Sequence, residues 1–136
     1  MKDYPWFKSY HPKVPHTLQP YPESGPVDLL ADNVKLNPDH TMLIFQDRRI
    51  SWKEVDRASD EMAAALAATG VKKGDRVAVL FLNCPQTFIA FYAIWKAGGI
   101  VVPLNPLYTP HELERSLNDV GAELAVIQSF WYPTFK

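Results

Sequence analysis

Residues 71–105, VKKGDRVAVLFLNCPQTFIAFYAIWKAGGIVVPLN, constrain the fold more than any other stretch of the chain. Val77 to Leu82 is an unbroken apolar run of strand-forming residues with no polar alternation. A strand covered on both faces reads this way, which points to a parallel sheet. Lys72-Lys73-Gly74-Asp75 ahead of it is a polar turn. Asn83 and Pro85 behind it open a helix, with asparagine as cap and proline in the first turn. That helix runs to Lys96-Ala97 and stops at Gly98-Gly99, because glycine accepts the left-handed conformation of a helix end. Ile100 to Val102 is the next strand, and Pro103 ends it. Two strands joined by a helix in this way lie parallel, with a right-handed crossover.

The rest of the chain leads into this unit or extends it. Residues 1–26 carry Pro5, Pro12, Pro15, Pro20, Pro22 and Pro26, interleaved with Tyr4, Trp6, Phe7, Tyr10 and Tyr21. Proline at that density excludes regular helix and favours an extended arm. The aromatics argue for an arm that lies on a surface and buries its rings there, on its own chain rather than on a partner. Val27, Leu30, Ala31 and Val34 form the stripe of a short amphipathic helix, ended by Asn37-Pro38. Met42–Phe45 and Arg49–Trp52 read as a hairpin turning on Gln46-Asp47-Arg48. Ser51 and Glu54 make a capping box. The helix behind it presents Val55, Ala58, Met62, Ala65 and Leu66 on one face, with Asp56, Arg57, Asp60 and Glu61 outward. Its alanines, Ala63 to Ala65 with Ala67 and Ala68, suit close approach to a sheet, and Gly70 closes it. After Pro103, Thr109-Pro110-His111-Glu112 is a second capping box with proline at the first helical position. Leu113, Leu117 and Val120 are its buried stripe and Gly121 its end. Leu124–Ile127 is a third short strand. The expected fold is α/β: a partial doubly wound, mainly parallel sheet with flanking helices, preceded by the arm (1–26) and the hairpin. Residues 27–136 are read as one incomplete domain. Phe130, Trp131, Tyr132 and Phe135 crowd the last residues as an exposed apolar patch of the kind that marks an interface. The natural chain is expected to continue beyond Lys136.

Composition excludes several functions. Net charge is −1, so there is no basic surplus to neutralise a nucleic-acid backbone. Cys84 is the single cysteine, which rules out an internal disulfide and a multi-cysteine zinc site. A reducing, cytoplasmic setting follows. No apolar run approaches the ~20 residues of a membrane span, and the N-terminus has no secretory core.

A search for chemistry finds no catalytic constellation. Neither G-x-G-x-x-G nor G-x-x-x-x-G-K-[ST] occurs. Asp75-Arg76 reads as a turn with a local ion pair. His11, His16, His40 and His111 lack metal-ligand spacing. Cys84, near a helix start, reads as a small buried residue rather than a reactive thiol. Phe88, Phe91, Tyr92 and Trp95 read as the core stripe of the central helix. Asn83 and Asn105 follow strand ends, where open α/β sheets place ligands; capping and turn roles account for both without one.

One resemblance goes further. Ile50–Ile127 resembles the N-terminal part of the adenylate-forming (AMP-binding) enzymes: acyl-CoA synthetases, luciferases and peptide-synthetase adenylation domains. It is carried by Ser51-Trp52-Lys53-Glu54, by Gly70-Val71-Lys72-Lys73-Gly74-Asp75-Arg76-Val77, by Asn83 and by Lys96-Ala97-Gly98-Gly99. Val102-Pro103-Leu104-Asn105-Pro106-Leu107-Tyr108-Thr109, running on through Pro110-His111-Glu112-Leu113-Glu114 to Leu117-Asn118-Asp119, is most similar to long-chain fatty-acid–CoA ligases. Tyr4-Pro5-Trp6 through Tyr10 and Val14-Pro15 resemble the start of the same enzymes. The resemblance implies that a fatty acid attacks ATP with Mg²⁺ to give an acyl-adenylate and pyrophosphate, and that coenzyme A then takes the acyl group and releases AMP. The family's phosphate loop, magnesium glutamate, ribose aspartate and mobile-domain lysine match no position here. No catalytic, cofactor-binding or metal residue is therefore carried over, and the chain is expected to be an inactive N-terminal fragment. ATP, Mg²⁺ and CoA are implied for the full-length enzyme only, which would sit in the cytoplasm or peripherally at a membrane. The alternative is a non-enzymatic α/β assembly module, able to form a homo-oligomer through its uncovered sheet edge. A small nucleotide-binding protein ranks last, for want of a phosphate loop.

Overall fold

The computed structural model describes residues 4–135, without the side chains of Thr134 and Phe135. Helix α1 spans Pro26–Leu36, the hairpin is β1 (Thr41–Phe45) and β2 (Arg48–Ser51), and α2 is Trp52–Ala68. Strand β3 is Arg76–Leu80, followed by α3 (Pro85–Lys96), β4 (Ile100–Pro103), α4 (Pro110–Val120) and β5 (Leu124–Ile127). Strands β3, β4 and β5 form one sheet in the order β4-β3-β5, and β3 is parallel to both neighbours. β1 and β2 pair antiparallel as a separate sheet. The fold is mixed α/β, as the strand-helix alternation requires.

Each boundary has a local cause. The Ser51 hydroxyl accepts the Glu54 N–H, while the Glu54 carboxylate accepts the Ser51 N–H at 2.7 Å. Thr109 and Glu112 repeat the arrangement, with Pro110 at the first helical position. α4 ends on Gly121 in the left-handed conformation. At the end of α3, Gly98 has φ +82°, and Gly99 is packed so closely that a Cβ there would lie 2.9 Å from the Ile94 methyl. That tight turn lets the Asp75 carbonyl accept the Ile100 N–H at 2.7 Å, which starts β4 beside β3.

Val77, Ala78, Val79 and Leu80 are all buried, on both faces of β3. Val77 and Val79 join Leu66, Val71, Ala90, Ala93 and Ile94 in one cluster. The chain steps from β3 to β4 on one side and then back past β3 to β5. With both crossovers right-handed, α3 and α4 fall on opposite faces of the sheet. This is the doubly wound arrangement, three strands wide.

The structure corrects several expectations. The arm is not wholly extended: Pro5–Ser9 forms a 3-10 helix, since proline is tolerated in a first helical turn. Its rings stack on one another instead of being buried. Tyr4 lies on Trp6 with centroids 4.6 Å apart, Phe7 lies on His16 at 4.0 Å, and Trp6 stays 52% exposed. The hairpin turns on Gln46-Asp47 alone, both with positive φ, and Arg48 already pairs with Phe45. Positive φ at both central residues matches the twist of the flanking strands. α3 is capped by Cys84, with Asn83 outside it and exposed. β3 stops at Leu80, two residues before the apolar run does. Asp75 makes no ion pair with Arg76; its carboxylate instead accepts the Lys72 N–H at 2.7 Å, closing the turn.

Two helix faces are also reassigned. On α3 the buried residues are Pro85 in the first turn and Ala90, Ala93 and Ile94 further on, and Phe88 is 45% exposed. Small side chains let α3 lie close to the sheet, which leaves Phe91, Tyr92 and Trp95 half-buried on its flanks in edge-to-face contact. On α2, Ala64, Ala65, Ala67 and Ala68 are exposed, while Val55, Ser59 and Leu66 are buried. α2 packs mainly on α3 rather than on the sheet. Ser59 fits there because its hydroxyl donates to the Asp56 carbonyl at 2.8 Å.

Candidate functional site

Open parallel sheets present their ligand crevice beyond the carboxyl ends of the strands, where neighbouring connections leave for opposite faces. In this chain that point lies between β3 and β4. A cleft of about 560 Å³ opens there, lined from the β3 side by Phe81, Asn83, Phe88 and Phe91, and from the β4 side by Leu104 and Pro106. Two other hollows are less well placed. One of about 420 Å³ lies at the amino ends of β3 and β5, beside Asp75 and Gly121. The other, of about 460 Å³, lies between the hairpin and helices α2 and α3, beside Arg48 and Glu54.

The walls of the carboxyl-end cleft are set by backbone geometry. The Leu104 N–H donates to the Val79 carbonyl at 3.0 Å, so the two strands stay paired past Pro103. Beyond that, the Asn105 side chain accepts the Leu107 N–H at 3.0 Å and its carbonyl accepts the Tyr108 N–H at 3.1 Å. Asn105 is thus a turn residue, as its position after a strand suggests. On the opposite wall the Thr87 hydroxyl donates to the Leu82 carbonyl at 2.8 Å. Cys84 is buried beside it, its Sγ 3.6 Å from Thr87 Oγ1. The Leu82 N–H donates to Gln128 Oε1 at 3.1 Å, tying this wall to the end of β5.

The cleft can hold an apolar group, and its lining brings no nucleophile and base together. Among the described residues, no group of three or more His, Cys, Asp or Glu could hold a metal. The histidines stay apart: His16 stacks on Phe7 in the arm, the His40 carbonyl accepts the Trp52 N–H, and His111 sits exposed in the first turn of α4. Burial pushes the Tyr92 hydroxyl above its ordinary pKa, so it stays protonated.

The strongest electrostatic feature escaped sequence reading. Lys96 Nζ lies 2.6 Å from Asp56 Oδ1, 2.7 Å from Asp60 Oδ1 and 3.1 Å from the Asp56 carbonyl. Asp56 and Asp60 are one helical turn apart on α2, and that spacing was the available signal. Lys96 is carried to them by the α2–α3 packing, which no local pattern reports.

The family model for AMP-binding enzymes matches residues 30–134. The chain is 39% identical over 129 residues to the long-chain-fatty-acid–CoA ligase of Bacillus subtilis (strain 168), covering 95% of this chain and 23% of that protein. It is 38% identical over 132 residues to the ligase of the same name from Escherichia coli O6:H1, covering 96% of this chain and 24% of the relative. Among solved structures it is similar to the anthranilate CoA ligase AuaEII in complex with anthranoyl-AMP. The TM-score there is 0.75 at 30% identity, over 79% of this chain and 21% of that one. The chain spans about a quarter of the length of the curated relatives it matches.

Proposed function

The chain belongs to the AMP-binding enzyme family, and we propose that it forms the N-terminal part of a long-chain fatty-acid–CoA ligase. The observation that carries this is the identity of 38–39% to two such ligases over 95–96% of the chain. In this reading residues 1–26 are an arm, residues 27–136 belong to the large α/β domain, and the setting is cytoplasmic. The whole ligase joins a fatty acid to CoA at the expense of ATP, through an acyl-adenylate. In this reading magnesium-ATP and CoA are held by the remainder of the ligase and not by the described residues. They hold no Ser/Thr/Gly-rich phosphate loop and no cluster of metal ligands. No catalytic step is assigned to any of their side chains. Their part is structural: α2, α3 and the three-stranded sheet supply a rigid layer on which the remainder of the ligase is built.

The test is a chimera in which this chain replaces the matching quarter of the Bacillus subtilis ligase. It should form palmitoyl-CoA from palmitate, ATP and CoA. A folded chimera that adenylates aryl acids but not fatty acids would overturn the assignment.

A further inference from the structure

We draw no further inference here: the strongest candidate, the apolar cleft of about 560 Å³ at the carboxyl ends of β3 and β4, is an open face of a chain that spans about a quarter of the length of its relatives, and nothing in the structure shows what covers it.

Discussion

Lys96, in the last turn of α3, places its ammonium 2.6 Å from the carboxylate of Asp56 in the second turn of α2. Its side chain is only 13% exposed, and that of Asp56 29%. The bond fixes how the two helices sit against each other, next to the buried Ser59. Removing one partner of such a pair strands the other in a poorly solvated place. Lys96→Met should therefore destabilise the fold by ~3 kcal/mol. Asp60 is 63% exposed, so Asp60→Asn should cost no more than ~1 kcal/mol. Urea unfolding of both variants decides the matter, and equal losses would contradict the asymmetry.

Gly99, just after α3, and Gly121, which ends α4, differ in what they avoid. A Cβ on Gly99 would meet the Ile94 methyl at 2.9 Å and the Asp75 and Ile94 carbonyls at 3.3 Å. Two of these three atoms are backbone and cannot step aside. Gly121 has φ +62° but open space around its missing Cβ. Gly99→Ala should cost ~1 to 3 kcal/mol by overpacking and disturb the start of β4. Gly121→Ala should cost ~1 to 2 kcal/mol, from left-handed backbone alone. Hydrogen exchange at the Ile100 amide separates them: it should quicken in the first variant and hold in the second.

Glu54 and Glu112 each accept hydrogen bonds from the backbone N–H and hydroxyl of a capping residue, Ser51 and Thr109. Those bonds hold both carboxyls below the ordinary glutamate range. On acidification the unfolded chain therefore binds these protons first. The stabilisation is complete above about pH 5 and disappears as pH falls through the folded values. Side-chain carboxyl NMR should give midpoints below those of a denatured control. Glu54→Gln and Glu112→Gln should each flatten the loss of thermal midpoint between neutral and acid pH. Midpoints at or above the denatured values would refute the capping account.

What the sequence discloses depends on the range of the interaction. Both capping boxes, the Gly70, Gly98 and Gly121 stops and the strand at Leu124 are set by neighbours a few residues away, and all are legible. The parallel pairing of β3 with β4 and β5 is legible too, because a helix between strands leaves little topological choice. Orientation on the core is not. α3 is apolar nearly all round, so its pattern cannot choose between the aromatic stripe and Ala90, Ala93 and Ile94, and close packing chose the small face. α2 met another helix where a sheet was expected, which turned Ala65 outward and buried Ser59. Asn83 and Asn105 correctly flag the carboxyl ends of β3 and β4. The cleft between them is built by Phe81, Phe88 and Phe91, whose convergence is tertiary.

The isolated chain should release no pyrophosphate from ATP with palmitate and magnesium. The phosphate-cradling pattern that such chemistry needs is missing from its residues. Turnover above a heat-killed control would show that side chains described here do more than build a scaffold.

The isolated chain should also self-associate. In the order β4-β3-β5 only the central strand has two partners among the described residues, so β4 and β5 each present an unpaired edge. Such an edge offers its N–H and C=O groups to any other strand. Phe130 and Tyr132 lie just beyond β5 and are each 55% exposed. Full burial of a large apolar side chain is worth ~1.5 to 3 kcal/mol, so covering the exposed half of each ring gives roughly 1.5 to 3 kcal/mol in all before ordering costs. That is a sizeable fraction of the stability of a small domain. The arm does not remove the drive to associate, because its rings pack on one another around Phe7 and His16. Light scattering across a dilution series should show mass rising with concentration. Phe130→Ser/Tyr132→Ser should lower the association constant, and a charged residue at Ile100 on the β4 edge, Ile100→Lys, should lower it further if the edge takes part. A strictly monomeric mass at high concentration, with a sharp thermal transition, would show that these edges are satisfied within one chain.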